Sequence, residues 1–277
     1  MTKTSKYQYI FIDESNQLDF DTLLPRGFAT EENRVCIGIA DESDMLLGTI
    51  SYSLIRFEYV IDWIYVEPTA REHGVGTCLL DKVIETVIAT GDLFPITARL
   101  PYTESTYPIF CLFQSNENMM LSYSHERFLI NAEEIRKAES LHVRLSIQST
   151  PFFDLPEEQQ KAILFEMENK HGYVIDSYER WKRSMISAFC RCIFADGELV
   201  DLVLIKRLLN GDLEVSFAYS KKGIGLMAIF ATVTAEAEEK YPGASLTFDS
   251  MNEKGEQLAK KLFPDAMSIP IYEAVYL

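Results

Sequence analysis

The residues that point to chemistry form a short segment containing two glycines, Arg71-Glu72-His73-Gly74-Val75-Gly76. Glycines one residue apart allow the backbone to approach an anion closely. A helix that begins at such a segment turns its unpaired N–H groups and the positive end of its dipole toward that anion. The segment therefore predicts a pyrophosphate site, although glycine patterns this short also occur by chance.

A strand precedes this loop and a helix follows it. Residues 57–66 alternate as a strand would. One face carries Glu58, Val60, Asp62, Ile64 and Val66, and the other carries Phe57, Tyr59, Ile61, Trp63 and Tyr65. Apolar residues at 3.6-residue spacing then predict a helix from Thr77 to Thr90, which Gly91 ends. The alternative is a plain strand-to-helix turn of an α/β protein that binds no ligand.

The stretch from Val66 to Gly76, between this strand and this helix, resembles the acyl-CoA-binding signature of the GCN5-related N-acetyltransferase (GNAT) family. The resemblance implies that backbone N–H groups of the loop bind the pyrophosphate of CoA and that the strand end pairs with the pantetheine arm. It also implies acetyl-CoA as co-substrate; we expect no metal, because the Cys and His residues lack metal-ligand spacing. The residues implied at this site are Ile64, Tyr65, Val66, Arg71, Glu72, His73, Gly74, Val75, Gly76 and Thr77.

The C-terminal half repeats the pattern. Ser220-Lys221-Lys222-Gly223-Ile224-Gly225 follows a strand-like run and precedes a helix-like one, and one offset relates the glycines, 223 − 74 = 149. Lys221, Lys222, Gly223 and Gly225 form a second candidate CoA site, weakened because Ser220 replaces the Arg or Gln of the signature. The resemblance thus implies an α/β fold with mixed (α+β) sheets, built of two tandem acyl-CoA N-acyltransferase (GNAT-like) domains at 1–135 and 141–277, the first being the active one.

The remaining pattern fits two such units joined by a short polar connector near 131–141. In the first, strands are predicted at 7–13, 34–40, 45–54, 57–66, 95–100 and 120–129, with helices at 19–24, 77–90 and from Tyr107. In the second, strands are predicted at 142–148, 188–195, 199–206, 213–217 and 245–249, with helices at 157–170, 178–187, from Leu226 and at 252–263, and a hairpin turn at 210–211.

Composition narrows the partners and the setting. The net charge of −16 argues against nucleic acid as a ligand and suits a cationic amine, although an acidic surface that maintains solubility explains it as well. No leader-like segment or long apolar run stands out, so we expect a cytoplasmic protein without membrane contact, a monomer or homodimer. Five cysteines without metal-ligand spacing predict free thiols.

Acyl transfer to an amine needs a group that accepts the amine's proton. The resemblance implies a carboxylate on the strand before the loop, at a position occupied here by Val60. Glu58 and Asp62 flank that position and are the candidates, Asp62 being favoured because it lies nearer the strand end. The alternative is that one or both pair with a neighbouring cation or face solvent.

The departing thiolate needs a proton donor, and the resemblance implies a Tyr on the helix after the next strand. Cys111 stands at that position. Tyr107, one turn earlier, is the candidate, and Tyr102 the second choice. The sequence thus predicts an acetyl-CoA-dependent N-acetyltransferase acting on a small amine or a peptide amine. The alternative is a non-catalytic acyl-CoA-binding or regulatory module, favoured by the absence of the expected Glu and Tyr.

Overall fold

The structure, a computed structural model, describes residues 7–25, 28, 34–137, 147–175, 177–208, 212–221, 223–250 and 252–276. Lys222, the predicted hairpin turn at 210–211 and most of the predicted strand at 142–148 lie outside these ranges. The described chain is a mixed α/β protein, as the sequence predicted.

The strands are β1 (Gln8–Ile12), β2 (Arg34–Ala40), β3 (Leu46–Ile55), β4 (Glu58–Val66), β5 (Ile96–Pro101), β6 (Met120–Ile130), β7 (Thr150–Pro151), β8 (Arg191–Ala195), β9 (Glu198–Arg207), β10 (Leu213–Ser220), β11 (Leu246–Ser250) and β12 (Met267–Tyr276). The helices are α1 (Val75–Thr90), α2 (Tyr107–Ser115), α3 (Ala132–Lys137), α4 (Glu157–His171), α5 (Tyr178–Ser184), α6 (Ile224–Lys240) and α7 (Glu253–Leu262). Short 3-10 turns at Gln17–Phe20, Pro68–Ala70 and Phe152–Asp154 complete the described elements.

The chain forms two compact units, one of Met1–Ser124 with Pro270–Leu277 and one of His125–Ile269. We call them the first and the second unit. This division differs from the expected domains at 1–135 and 141–277. The reason is that each expected domain supplies a strand to the other, because Ile271–Tyr276 of β12 pairs with β5 and Glu126–Ile130 of β6 pairs with β11.

In the first unit, β1 to β4 pair antiparallel in chain order, β4 and β5 pair parallel, and β5 pairs antiparallel with β12. Helix α1 covers one face of this sheet through Leu79, Leu80 and Val83, all at 0% exposure. Ala274 of β12 belongs to the same core and is also fully buried. The C-terminal strand is therefore part of the first hydrophobic core.

In the second unit, β8, β9 and β10 pair antiparallel, β10 and β11 pair parallel, and β11 pairs antiparallel with β6. Helix α6 covers one face through Ile229, Phe230 and Val233. Arg127 donates to both carboxylate oxygens of Asp249, at 2.6 and 2.7 Å. Burial alone would raise the pKa of Asp249, but hydrogen bonds from Arg127 and His125 outweigh it and hold that pKa below its ordinary value.

The two units share an irregularity at equivalent positions. Asp62 is an extra residue in β4 opposite β3, and Ser216 is an extra residue in β10 opposite β9. The parallel pairing that follows each hairpin ends next to these bulges, at Ile61↔Ala98 and at Val215↔Phe248. The bulges are separated by 216 − 62 = 154 residues, whereas the glycines are separated by 149, so the second loop is five residues shorter.

The buried C-terminal strand generates a prediction about stability. Replacing Ala274 with Glu puts a carboxylate into the first core, and we expect it to lower the free energy of unfolding by at least about 2 kcal/mol. The matched control is Glu273→Ala on the adjacent residue, which removes only a 4.0 Å ion pair with Arg99. Thermal unfolding compares the two variants, and equal, small effects would contradict the assignment of this strand to the first core.

Candidate functional site

The bulge at Asp62 reverses the faces of β4. Tyr59 and Ile61 face α1 before the bulge, and Ile64 and Val66 pack against the same core after it. Trp63 lies on the opposite face, where its indole N–H donates to the carbonyl of Leu23 at 3.0 Å. The predicted alternation, which grouped Ile64 and Val66 with Asp62, is therefore wrong beyond residue 62. An extra residue shifts the two-residue period by one, so every later side chain changes face.

The same bulge opens β4 toward a ligand. Pairing between β4 and β5 covers only Tyr59 to Ile61, while β4 continues along β3 to Val66. Beyond Ile61, the residues Ile64, Tyr65 and Val66 have no described pairing with β5, although the carbonyl of Val66 accepts a hydrogen bond from Arg71 at 3.0 Å. Backbone N–H and C=O groups need hydrogen-bonding partners. This segment can therefore pair with an extended ligand, which is the role that the resemblance implies for it toward the pantetheine arm.

The glycine loop leads directly from this opening to α1. The helix begins at Val75, two residues before the predicted start at Thr77, and Gly74 precedes it with φ of 82°. Glu72 is also left-handed, with φ of 65°. No side chain caps the helix and its first turn has no acidic residue. The N-terminal N–H groups of α1 can therefore bind an anion.

Side chains and the neighbouring strand fix the shape of this loop. Arg71 Nε donates to the carbonyl of Val66 at 3.0 Å, and its guanidinium lies over the ring of Tyr65 at 5.9 Å. The Nδ1 of His73 contacts the carbonyl of Arg71 at 2.6 Å, and the hydroxyl of Tyr7 donates to the carbonyl of His73 at 3.1 Å. A carbonyl only accepts, so His73 carries its proton on Nδ1 in this contact.

The second glycine brings α1 close to α2. A Cβ at Gly76 would lie 3.2 Å from Leu112 of α2 and 3.7 Å from Val66 of β4. Gly74 meets nothing within 4 Å, so its backbone conformation, not crowding, favours glycine. Thr77 is exposed in the first turn. The predicted loop residues are thus contiguous with the open end of β4.

Asp62 is placed at the bulge but is already paired. Arg34 contacts its Oδ2 from both Nε and a terminal nitrogen at 3.1 Å, and Ser53 donates to Oδ2 at 3.1 Å. Ser51 donates to Oδ1. Burial and the Asp62 charge raise the pKa of the neighbouring Cys36 thiol to about 12. These contacts match the alternative stated in the sequence analysis, in which the Asp62 carboxylate pairs with a neighbouring cation.

Glu58 has a different environment. Its carboxylate accepts a hydrogen bond from Thr97, a buried residue of β5, across the parallel pair. Glu58 is partly buried, and its carboxylate is in no recorded ion pair within the described part of the chain. It lies on the face opposite α1, about 10 Å along the strand from Ile61 at 3.3 Å per residue. Asp62 lies nearer the open end of β4, which favours it as the base. Glu58 is in no ion pair among the described residues, which favours Glu58 instead.

Tyr107 is the first residue of α2, where Pro108 is tolerated, as the sequence predicted. It is 50% exposed, and its ring lies edge to face with Tyr102 at 5.9 Å. A hydrogen bond with Cys111, one turn further, and the charge of that thiol raise the pKa of Tyr107 above its ordinary value. A phenol that keeps its proton can donate it.

In the second glycine loop, hydrogen bonds within the protein occupy the groups that could otherwise bind an anion. Gly223, also left-handed, donates its N–H to the hydroxyl of Ser220 at 2.6 Å, and that hydroxyl donates to the buried carboxylate of Asp201. Lys221 forms a 2.9 Å ion pair with Glu198. A Cβ at Gly225 would overlap the Asp201 carboxylate. An acidic side chain therefore occupies the anion-binding end of α6.

Strand pairing also changes the equivalence between the loops. Ser220 pairs with Asp201 at the end of β10, as Val66 pairs with Gly48 at the end of β4. Ser220 is therefore the counterpart of Val66, and aligning it with Arg71 through a single offset is wrong. The five missing residues leave no counterpart of Arg71.

Two further expectations concern metals and membranes. Within the described ranges, no group of three or more His, Cys, Asp or Glu side chains is arranged to hold a metal ion, and no helix is long and apolar enough to cross a bilayer. The five cysteines are free thiols, as the sequence predicted.

Comparison with known proteins finds one family match, which lies within the first unit. Residues 4–94 match the sequence profile of the Acetyltransferase (GNAT) family. No curated protein matches the sequence.

Solved structures resemble the whole chain. A GCN5-related N-acetyltransferase from Sphaerobacter thermophilus has a TM-score of 0.67 at 12% identity, over 99% of this chain and 96% of that one. A tandem GNAT protein from the clavulanic acid biosynthesis pathway has a TM-score of 0.61 at 11% identity, over 98% and 99%. A GCN5-related N-acetyltransferase from Kribbella flavida has 0.53 at 15%, over 98% and 72%. These likenesses show a shared fold.

The occupied second loop yields a prediction. Gly225→Ala should destabilise the protein by about 1–3 kcal/mol, because the new methyl must displace the buried Asp201 carboxylate. Gly76→Ala is the matched control at the other loop, where the nearest atom belongs to the end of a flexible Leu112 side chain. Thermal unfolding of both variants measures the difference. A loss at Gly76 as large as that at Gly225 would contradict this account of the second loop.

Proposed function

Because the chain is a tandem GNAT-fold protein whose residues 4–94 belong to the Acetyltransferase (GNAT) family, we propose that it is an acetyl-CoA-dependent N-acetyltransferase acting on a primary amine. One observation supports this most strongly. In the first unit, the unpaired end of β4 leads without interruption to an uncapped N-terminus of α1. An extended ligand with a terminal pyrophosphate matches that arrangement in shape and in charge.

The residues of the first unit fit acetyl-CoA. Backbone groups of Ile64 to Val66 would hold the pantetheine arm, and the N–H groups between Glu72 and Thr77 would hold the pyrophosphate. When bound there, acetyl-CoA supplies an activated acetyl thioester. Arg71 adds a positive charge beside the loop, while its hydrogen bond to Val66 ties the loop to the strand end.

The amine must lose its proton before it can attack, and Glu58 is the proton acceptor that its contacts favour. The Glu58 carboxylate accepts from one neutral donor, Thr97, whereas the Asp62 carboxylate is already engaged by a guanidinium and two hydroxyls. In this proposal Asp62, joined to Arg34, positions the bulge, and Thr97 orients Glu58. Tyr107 donates a proton to the leaving thiolate.

The overall charge bears on the acceptor. At −16, the protein attracts cations, so we propose a small cationic amine, with a peptide amine as the second choice and nucleic acid excluded. We place the protein in the cytoplasm, away from membranes, as a monomer or homodimer.

The second unit takes a structural part in this proposal. The carboxylate of Asp201 already lies at the start of α6, and a phosphate there would meet a like charge in a buried setting. We therefore expect one acetyl-CoA per chain, bound to the first unit.

A non-catalytic acyl-CoA-binding or regulatory module is the second candidate. Val60 stands where the resemblance implies a carboxylate, and the Asp62 carboxylate is engaged by Arg34. Neither feature touches the segment proposed to bind acyl-CoA, but the ion pair makes Asp62 less available as a base. Kinetic comparison of base variants separates this function from the first.

Binding can be tested before any acceptor amine is identified. Acetyl-CoA at 100 times its dissociation constant should add about 2.7 kcal/mol to the free energy of unfolding. Calorimetry should give one site per chain, and Gly74→Val should weaken it about tenfold or more, since a lost N–H contact to an anion costs about 1.5–3 kcal/mol.

Gly91→Val is the matched control for that substitution. Gly91 ends the same helix, has φ of 78° against 82° at Gly74, and has equally open surroundings. Both variants bear the same backbone strain, but only Gly74 belongs to the loop. If the wild type does not bind acetyl-CoA, both the enzyme and the binding-module proposals are wrong. If Gly74→Val and Gly91→Val bind acetyl-CoA with equal affinity, this loop is not the site.

The proton acceptor is tested by release of CoA thiol across a panel of primary amines. Glu58→Gln should lower kcat about a hundredfold or more at saturating acetyl-CoA, a typical loss for a general base. Asp62→Asn should lower the melting temperature, because Arg34 loses its counter-ion, with a smaller loss of kcat. The reverse ranking would make Asp62 the base. No turnover by the wild type with any amine would favour the binding module.

A further inference from the structure

The edge strand of the first sheet reaches over to the glycine loop. Tyr7, immediately before β1, donates its hydroxyl to the carbonyl oxygen of His73 at 3.1 Å, across 66 residues of chain. This contact lies directly before Gly74 and thus holds the peptide group that joins His73 to Gly74.

The geometry of that peptide group decides where its N–H points. The described chain contains no cis peptide bonds, and in a trans peptide the C=O and N–H vectors point in opposite directions. A carbonyl of His73 directed at Tyr7 therefore directs the N–H of Gly74 away from β1. Gly74 is left-handed, so the conformation on the other side of that N–H is fixed as well.

We infer that Tyr7 is a positioning residue for the pyrophosphate, because it orients the Gly74 N–H that would bind a phosphate oxygen. This inference rests on the proposed function. Without the hydroxyl, the carbonyl of His73 loses this hydrogen bond, and the peptide group is less restrained against rotation.

The second unit shows the contrasting arrangement. There the N–H of Gly223, the counterpart of Gly74, donates to Ser220 at 2.6 Å, so it is used within the loop. In the first unit, the N–H of Gly74 has no acceptor among the described residues. Its orientation is set by the hydrogen bond of Tyr7 to the His73 carbonyl of the same peptide group. The same backbone group thus serves the loop itself in one unit and can serve a ligand in the other.

The chain supplies a matched control two residues further along, within β1. Tyr9 also reaches α1, but its hydroxyl donates at 3.4 Å to the carbonyl of Cys78, which is beyond the loop. Removing that hydroxyl alters the packing of β1 on α1 without touching the peptide group before Gly74. Burial and the nearby Cys78 raise the pKa of Tyr9 to about 12, so Tyr9 is a neutral hydroxyl donor in the assay.

The experiment compares Tyr7→Phe and Tyr9→Phe with two ligands, acetyl-CoA and S-acetylpantetheine, which keeps the thioester arm but lacks the pyrophosphate. We expect Tyr7→Phe to weaken acetyl-CoA about two- to tenfold, the range of one hydrogen bond, and to leave S-acetylpantetheine unchanged. Tyr9→Phe should change neither dissociation constant. Titration calorimetry, with competition for the weaker ligand, provides the values.

The outcomes separate the inference from the function it rests on. Unchanged acetyl-CoA affinity in Tyr7→Phe would overturn the positioning role while leaving the proposed function intact. Equal losses for both ligands would overturn it too, because they would indicate a general loss of structure. Failure of the wild type to bind acetyl-CoA would overturn both. We also expect Tyr7→Phe and Tyr9→Phe to melt within a degree or two of each other, which would show that the affinity change does not come from a loss of stability.

Discussion

The bulge at Asp62 is the constraint on which the rest of the first unit depends. A regular β4 would stay paired with β5 along its length and would leave no backbone groups for a ligand. One extra residue ends that pairing at Ile61 and carries Ile64 and Val66 onto the core face. The contacts of Asp62 with Arg34 and Ser53 hold this extra residue in place, which gives the carboxylate a structural role.

The two units share the same backbone geometry, but the helix N-terminus is open to an anion in the first unit and occupied by a carboxylate in the second. Both units have a bulge, an end to parallel pairing and a left-handed glycine before a helix. In the first, the helix end has no acidic neighbour in its first turn, whereas in the second Asp201 lies against it. A single side chain on a neighbouring strand therefore determines whether the positive end of a helix is available. The glycine pattern alone is equally present in both.

Sequence reasoning recovered the elements whose signals are local. The glycine loop, the helix after it and the strand Arg34–Ala40 follow from spacing and periodicity, and the duplication follows from repeating them. The bulge was missed because it is a property of two paired strands. Arg34, a partner 28 residues from Asp62, gave no local signal either. The C-terminal strand β12 was not predicted, since Pro270 interrupts its pattern.

The strand β12 also has a consequence for how the chain acquires its structure. Its residues are synthesised after those of the second unit, yet Ile271 to Tyr276 complete the sheet of the first. The pairing of β5 with β12 joins positions that are 271 − 101 = 170 to 276 − 96 = 180 residues apart, and contacts of such separation form slowly. On the ribosome, the second unit can therefore close before the first has its last strand. Until then β5 has an open edge, which is a place for a chaperone or another unpaired strand to bind.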